Sequence, residues 1–316
     1  MAIQNNNPKG IVFILTGMAM FSIQDSLIKY IFKDAALYEL YFGRTLTALL
    51  LLILYLKFSS QKLVMKTYYP ILTSVRVICF FFGFSFFYVS LTYMSLAMAN
   101  ALFFSSPFFV SILAIIFLGE KVGIRRWLAI FVGFLGVYIV LNPNFENFDY
   151  MKLAPVACAL FYAISMTITK ITSDKDSVYS QMFHLYIGAI GISILFFIFT
   201  GQGQFNTFSD PTFQFILREW FTNPTYAWPY IILMGLVASL SFYFVFSAYS
   251  IASPSVVSLF EYSLIIWAII IGYLFFNDIP TLRTFIGVAL IMGAGLYIYF
   301  REKIKDQMIA TDTPNR

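Results

Sequence analysis

Six ionisable side chains stand inside otherwise apolar stretches of this 316-residue sequence, and they are its first candidates for chemistry. They are Asp25, Lys29, Arg44, Arg76, His184 and Glu261. An ionisable group inside a lipid bilayer costs about 2.5–3.5 kcal/mol on insertion scales, so such groups usually bind one another, a substrate or a proton. The six residues therefore predict a polar site inside an apolar protein.

Asp25 and Lys29 are four residues apart, which places them on one face of a helix in the favourable acid-first order. In one interpretation the two charges neutralise each other near the outer membrane boundary. In the other, Asp25 faces a cavity and binds a substrate amine or a proton, while Lys29 and Arg44 alternate as its partners. We expect a substrate-binding or proton-coupling role for Asp25, and a topology and packing role for Arg44.

Glu261 has no acidic or basic residue within one turn of its own helix, so its partner must come from another helix. Arg76 is the candidate, because both residues lie at a similar predicted depth. The pair is either a structural ion pair or a substrate clamp or proton relay whose pairing changes during transport. His184, the only histidine, titrates near neutrality and is either a proton-coupling group or a hydrogen-bonded packing residue.

The predicted substrate site also includes aromatic and hydroxyl side chains. Aromatic rings stack on planar or cationic ligands, and Ser105 lies in a Ser-Ser-Pro sequence that interrupts an apolar run as a kink or a hinge. The substrate-binding candidates are Asp25, Arg76, Glu261, Tyr262, Trp267, Tyr88, Tyr162 and Ser105. The proton-coupling candidates are Glu261, Asp25 and His184.

The elements that position these residues are long apolar runs. The sequence is 60% hydrophobic and 11% charged, whereas an ordinary soluble domain has roughly 25% charged residues. Runs of about 20 residues predict ten membrane-spanning helices, and they are too long and continuous for barrel strands. The predicted spans are 10–32, 36–56, 70–91, 96–118, 126–142, 152–171, 178–200, 227–249, 255–276 and 282–300. The expected fold class is an all-α polytopic membrane protein.

Several classes of function are excluded or disfavoured by composition. The net charge of +5 reflects topology-setting loop residues in a membrane protein, so no nucleic-acid partner is expected. Cys79 and Cys158 lie in apolar runs without metal-type spacing and are interpreted as packing residues. There is no nucleotide-binding motif and no catalytic constellation, so we expect neither an ATP-driven pump nor an enzyme, and no metal or cofactor.

A helical hairpin near the middle of the chain is repeated near its end. An offset of 156 residues places Tyr249 on Tyr93, and an offset of 158 places Asp278 on Glu120. Most Lys and Arg residues lie on one predicted side, which places both termini in the cytoplasm. Ten spans then require two inverted five-helix repeats, a typical transporter plan. The predicted boundaries are residues 1–146 and 147–300, followed by a cytoplasmic tail, 301–316.

These segments resemble the EamA-type transporters of the drug/metabolite transporter superfamily. The resemblance spans residues 8–300 and rests on Arg76 opening a span and on LTYMSLAMANALFFSSPFF, FLGEKV, RRWLAIFVGFLGVYIV, ALFYAISMTITK and VVSLFEYSLIIWAIIIGYLFFNDIPTLRTFIGVALIMGAGLYI. It implies ten-helix inverted-repeat carriers that move small metabolites through a central cavity. The sequence around Phe260-Glu261-Tyr262 is similar to members assigned to S-adenosylmethionine, riboflavin, amino acids or carboxylates. Asn277-Asp278 departs from the more usual Gly-Glu pair.

The expected function is a secondary transporter of a small polar or zwitterionic metabolite, such as an amino acid, an amine or an S-adenosylmethionine-like molecule. Alternating access in a bacterial inner membrane, coupled to protons or to exchange, is the expected mechanism. A channel or a lipid-handling membrane protein is the alternative. The expected partners are a small-molecule substrate and membrane lipid, and a homodimer is compatible with the sequence. The longest predicted external loop, 201–227, contains FQFILREWF, interpreted as an interfacial anchor or a lid.

Overall fold

The computed structural model describes residues 6–59, 65–119, 123–141, 150–222, 224–279 and 281–311. These residues form thirteen α-helices and one 3₁₀-helix, Tyr150–Leu153, and they contain no β-strand. The helices are α1 Asn7–Ile31, α2 Leu37–Phe58, α3 Pro70–Ser90, α4 Leu96–Phe103, α5 Ser106–Leu118, α6 Ile124–Leu141, α7 Ala154–Thr172, α8 Val178–Thr200, α9 Pro211–Leu217, α10 Ala227–Ile251, α11 Pro254–Phe260, α12 Ser263–Phe276 and α13 Leu282–Thr311. The hinge residues Glu120 and Lys121 and the linker from Asn142 lie outside the described residues.

Eight segments of the described chain are long and apolar enough to cross a membrane, so the chain is an integral membrane protein. They are Asn7–Ile31, Leu37–Phe58, Pro70–Ser90, Leu96–Leu118, Tyr150–Thr172, Val178–Thr200, Ala227–Ile251 and Val256–Phe276. Helices α6 and α13 contain shorter apolar stretches, Trp127–Gly136 and Leu282–Ala294. The expected count of ten spans is therefore not confirmed and stays a prediction.

The starts of the helices follow local sequence signals. Six helices carry proline in their first turn, where its missing N–H leaves no hydrogen bond unmade. These are Pro8, Pro70, Pro107, Pro155, Pro211 and Pro254. Other helices begin at side-chain caps: Ser95 accepts a hydrogen bond from the Met98 N–H, and Ser177 accepts one from the Ser180 N–H.

Helices of the two halves interlock in matching pairs. Helix α1 packs along α10, and α7, its counterpart in the second half, packs along α3. Both pairs approach closely at a glycine. A Cβ atom on Gly17 would lie 2.7 Å from Val245 Cγ2, and a Cβ atom on Gly83 would lie 2.8 Å from Phe161 Cβ. Small residues permit such contacts in membrane helices, where close packing replaces the hydrophobic driving force.

Each half contains one broken membrane helix, and the two breaks are equivalent. The first break separates α4 from α5 at Phe104 and Ser105, and the second separates α11 from α12 at Glu261 and Tyr262. The offset of 156 residues places Glu261 on Ser105, so both breaks fall at the same position of the repeat. The interruption expected at the Ser-Ser-Pro sequence is present. Broken helices of this kind line the substrate sites of many transporters.

The unusual Asn277 has a clear conformational role. Helix α12 ends at Asn277 with φ 53°, and α5 ends at Gly119 with φ 67°. Both residues adopt the left-handed conformation that commonly terminates helices, and asparagine is the residue after glycine that tolerates it best. The offset of 158 residues aligns the two positions, so the Gly-to-Asn departure preserves the shape of the helix end.

The long loop 201–227 packs onto the bundle rather than lying free. Its short helix α9 buries Phe215, and Trp220 is also buried. Arg218 Nη1 donates hydrogen bonds to the carbonyl oxygens of Phe32 (3.3 Å) and Ala35 (3.4 Å). FQFILREWF is therefore helical only in its first part, and Trp220 faces protein instead of lipid headgroups.

The two cysteines, Cys79 and Cys158, are free thiols, and both are buried. Cys158 lies on α7 and Cys79 on α3, within the helix pair described above. Burial among apolar helices agrees with the packing role expected from the sequence.

Candidate substrate site

A narrow pocket lies between α1, α3, the two broken helices and α7. Its walls are mostly aromatic, with two polar side chains among them: Met18, Phe21, Asp25, Phe84, Phe87, Asn100, Phe103, Tyr162 and Leu264. The sequence-predicted residues Asp25 and Tyr162 thus meet in one central cavity.

Asp25 is the acidic group of this cavity, and its side chain is incompletely bonded. Its relative exposure is 3%, and no described group donates a hydrogen bond to Oδ1. Arg44 interacts with it electrostatically, but the two form no ion pair within 4.0 Å. A buried carboxylate without close partners costs several kcal/mol. Asp25 is therefore poised to bind a cationic group that enters the cavity.

A buried hydrogen-bond network on α1, α2 and α3 holds Arg44 beside this acid. The Tyr88 hydroxyl accepts a hydrogen bond from Arg44 Nη1 at 2.6 Å and another from Gln24 Nε2 at 2.7 Å. The Arg44 guanidinium also lies 4.5 Å from the centre of the Tyr41 ring, within cation–π range. Tyr88 therefore positions Arg44 and does not itself line the cavity.

Glu261 lies at the break between α11 and α12, fully buried and surrounded by hydroxyl groups. Oε1 accepts hydrogen bonds from the hydroxyls of Tyr162, at 2.7 Å, and Tyr249, while Oε2 accepts one from Ser106 Oγ at 3.2 Å. Ser106 opens α5, so this carboxylate joins the breaks of both halves. Three hydroxyl donors stabilise a carboxylate without a positive partner.

Tyr162 connects Glu261 to the cavity. Its hydroxyl bonds Glu261, while its ring forms part of the cavity wall and lies 5.2 Å from the Phe103 ring and 6.3 Å from the Phe84 ring. A change in the protonation or hydrogen bonding of Glu261 is therefore transmitted to the cavity wall by the side chain of Tyr162.

Two expected charge pairs are wrong. Lys29 does not pair with Asp25; its Nζ lies 2.9 Å from Asp278 Oδ2 and 3.4 Å from the Met94 carbonyl oxygen. Arg76 does not pair with Glu261; its Nη1 donates to Gln181 Oε1 at 2.6 Å and to Thr172 Oγ1 at 3.4 Å. Arg76 thus ties α3 to α7 and α8, away from the central cavity.

His184 also lies away from the cavity. Its Nδ1 is 2.6 Å from the Ser180 carbonyl oxygen, and its Nε2 is 2.9 Å from the Met65 carbonyl oxygen. These contacts fasten α8 to the segment that precedes α3. The geometry is that of a hydrogen-bonded packing residue, the second of its two interpretations.

The remaining candidates lie around the breaks. Ser105 is buried and bonds the carbonyl oxygen of Leu102, so it stabilises the break while its neighbour Ser106 contacts Glu261. Tyr262 is buried against Phe104, with ring centroids 5.2 Å apart. Trp267 is 42% exposed on α12. The structure brings neither aromatic residue to the cavity wall.

Sequence reasoning did not select the phenylalanines of the cavity or two partners of Glu261. Phe84 and Phe87 are three residues apart on α3, and Tyr88 is four from Phe84, so helical spacing places all three on adjoining faces. Tyr249 carried a signal too, because the repeat aligns it with Tyr93 and it precedes Glu261 by 12 residues.

The fold and the site together are those of a membrane transporter: membrane-spanning helices in two interlocking halves, with a broken helix from each half meeting at a central polar site. The chain belongs to the EamA-like transporter family, whose model matches residues 8–142 and again 151–300. It is therefore a small-metabolite transporter of the drug/metabolite transporter superfamily.

Relatives of this chain carry two substrate names. The S-adenosylmethionine uptake transporter of Rickettsia prowazekii is 25% identical over 294 residues, which cover 93% of each chain. The riboflavin transporter of Rhizobium johnstonii is 30% identical over 243 residues, 77% of this chain and 74% of the relative. A solved crystal structure aligns with a TM-score of 0.69 at 14% identity, covering 92% of this chain and 96% of the other, which shows a shared fold.

Proposed function

We propose that this chain is a secondary transporter of a cationic metabolite of the S-adenosylmethionine type, which binds in the central cavity at Asp25. The observation that carries the proposal is the buried Asp25 carboxylate, whose Oδ1 lacks a hydrogen bond inside an aromatic-walled cavity. Such a site favours a ligand with a positive charge next to a flat apolar group.

S-adenosylmethionine has this chemistry, because its sulfonium carries a fixed positive charge and its adenine ring is planar. Aromatic faces attract onium cations by their quadrupoles, an interaction worth about 2 kcal/mol or more when it is desolvated. Phe21, Phe84 and Phe103 supply such faces beside Asp25. The names of the Rickettsia relatives point to the same substrate class.

Riboflavin is the second candidate, and the aromatic walls favour it as well. Its isoalloxazine ring would stack on the phenylalanines, and relatives at 30% and 28% identity carry its name. The ring is uncharged at neutral pH, however, so it would leave the Asp25 carboxylate uncompensated. A buried acid without a positive partner is unfavourable, which is why we place the sulfonium compound first.

The proposed mechanism is alternating access by two inverted halves in a bacterial inner membrane, with both termini cytoplasmic. The broken helices α4–α5 and α11–α12 meet at Glu261 and supply the moving elements of each half. Energy comes from exchange or from a proton or charge gradient. One positive charge moved through 100 mV gains about 2.3 kcal/mol.

The proposal is tested with purified protein in liposomes, by measuring uptake of labelled S-adenosylmethionine and of riboflavin. We expect saturable uptake of the sulfonium compound, and at least about tenfold weaker apparent affinity in Asp25→Asn, which keeps the side-chain shape. Asp174→Asn, the same change at an exposed loop acid, is the control. Saturable uptake of riboflavin but not of S-adenosylmethionine would show that riboflavin is the substrate. Flux that does not saturate would indicate a channel.

A further inference from the structure

A second narrow pocket lies beside the first and shares one wall residue with it, Phe84. It is formed by α2, α3, α8 and α10, and its polar lining includes Arg44 and Tyr186. The first cavity holds a carboxylate and the second holds a guanidinium, so opposite charges lie on the two sides of a single aromatic ring.

Arg44 is incompletely paired in this cavity. Its side chain is 4% exposed, Nη1 is bonded to Tyr88, and Nε has no hydrogen-bond partner. A guanidinium stays charged at every physiological pH, and no described carboxylate lies within 4.0 Å of it. Its fork of N–H groups suits a carboxylate or a phosphate, which it binds through two parallel hydrogen bonds.

Tyr186 supplies a second donor to the same space. It is fully buried on α8, and its hydroxyl interacts with the Ser239 side chain but makes no hydrogen bond of standard geometry. Buried hydroxyls are nearly always hydrogen-bonded. By contrast, the other two polar wall residues are already bonded: Thr45 donates to the Tyr41 carbonyl oxygen at 2.5 Å, and the Tyr41 hydroxyl donates to the Phe81 carbonyl oxygen at 3.2 Å.

The wall residue that the two cavities share contributes its side chain, the ring of Phe84. Its ring stacks on Phe80 at 5.3 Å and on Phe21 at 5.9 Å, and it has no polar atom to hold it in place. Phe84 is the wall residue common to both pockets, so a ligand that reaches into both must displace this one ring.

We propose that Arg44 and Tyr186 bind the carboxylate of a substrate whose cationic part binds at Asp25, with the Phe84 ring between the two subsites. The substrate class is then an α-amino acid that carries a positively charged, ring-bearing side chain. This inference rests on the proposed function, because it assumes that the Asp25 cavity receives the substrate.

The test compares two ligands that differ only in the carboxylate: S-adenosylmethionine and its decarboxylated analogue. Dissociation constants are measured by calorimetry on the full-length protein in detergent. We expect wild-type protein to bind the carboxylate-bearing ligand at least about tenfold more tightly. Tyr186→Phe, which removes one oxygen atom, should reduce this preference several-fold and leave the affinity for the analogue almost unchanged. Arg44→Gln should also reduce the preference several-fold, and for this variant the ratio of the two affinities is the measure, because Arg44 also interacts with Asp25.

The outcomes separate the two proposals. If wild-type protein binds both ligands equally and neither variant alters their ratio, the carboxylate subsite is wrong and the Asp25 site stands. If wild-type protein binds neither ligand, the proposed function is wrong and the subsite falls with it. If Arg44→Gln does not fold, the wild-type ratio and Tyr186→Phe still decide the outcome.

Discussion

Lys29 and Lys170 make the same contact in the two halves of the chain. Lys29 Nζ lies 3.4 Å from the Met94 carbonyl oxygen, and Lys170 Nζ lies 3.4 Å from that of Ser250. An offset of 141 residues relates the lysines, and an offset of 156 relates Met94 to Ser250. Lys29 thus binds the turn just after α3 and Lys170 binds the last turn of α10, so each lysine lies at the C-terminal end of its half's third long helix, where the helix dipole attracts cations.

Each lysine also makes a second contact, and these second contacts lie at opposite ends of the broken span α11–α12. Lys29 also pairs with Asp278, which follows α12, whereas Lys170 also donates to the Ala252 carbonyl oxygen at 3.0 Å, just before α11. We infer from this arrangement that the halves are inverted and that the Lys29–Asp278 pair helps to close the end of the bundle at which α1 finishes.

We predict that breaking this pair changes transport only moderately. The side chains are 14% and 29% exposed, and ion pairs open to solvent contribute about 0–1 kcal/mol. Lys29→Gln should therefore change the initial uptake rate by up to about fivefold. Lys33→Gln, at an exposed lysine at the same end of α1, should leave the rate unchanged.

The reversed pair, Lys29→Asp with Asp278→Lys, provides the stricter test. It should recover part of the rate that Lys29→Asp alone loses, because it restores the attraction but not the contact with Met94. Equal rates in the single and double variants would show that the ion pair has no part in closure.

We predict that Glu261 couples transport to the proton gradient and is not required for the protein to fold. We expect Glu261→Gln to fold and to exchange substrate across the membrane, but to lose accumulation driven by a pH gradient, since the amide cannot take up and release a proton. Counterflow and gradient-driven uptake, measured in the same liposomes, distinguish the two activities.

Ser106→Ala is the matched control for this prediction, because it removes one hydrogen bond to the same carboxylate and leaves the charge in place. It should retain gradient-driven accumulation. Full accumulation by Glu261→Gln would remove Glu261 from the coupling mechanism.

Asn277 should matter for stability through its backbone conformation. An L-residue with a Cβ atom pays about 1–2 kcal/mol in the left-handed region; glycine, which has none, pays least, and asparagine pays less than most because its side chain can hydrogen-bond locally. With φ 53° at this position, Asn277→Ala should lower the free energy of unfolding by about 1 kcal/mol. Asn277→Gly should be neutral or slightly stabilising.

Thermal unfolding in detergent measures both changes. Asn206→Ala, at a loop asparagine with negative φ, is the control for loss of the amide itself. A melting temperature of Asn277→Ala equal to that of Asn277→Gly would contradict the proposed role of the left-handed conformation.

Hydropathy and the internal repeat were sufficient to predict the helical membrane fold and the equivalence of Ser105 with Glu261. They worked because span length and repeat offset are properties of the chain in one dimension. The end of α13 was less predictable: the last predicted span stops at residue 300, whereas α13 continues to Thr311.

The pairing of charges could not be predicted, because counting residues along a helix gives depth but not the direction that a side chain faces. Arg76 and Glu261 were assigned similar depths, yet Arg76 faces Gln181 and Glu261 faces Tyr162. The phenylalanines that line the cavity could not be predicted for a related reason. The chain has 38 phenylalanines, and only packing separates Phe84 from those that face lipid.

The burial of both cysteines has a practical chemical consequence. Because Cys79 and Cys158 are shielded in the native protein, a water-soluble maleimide reagent has no ready thiol to modify. A single cysteine introduced at the exposed Ser209 of the 201–227 loop would then be the reactive thiol of the molecule. Labelling in intact cells would place this loop on the outer face of the membrane, and labelling only after the cells are opened would place it on the inner face.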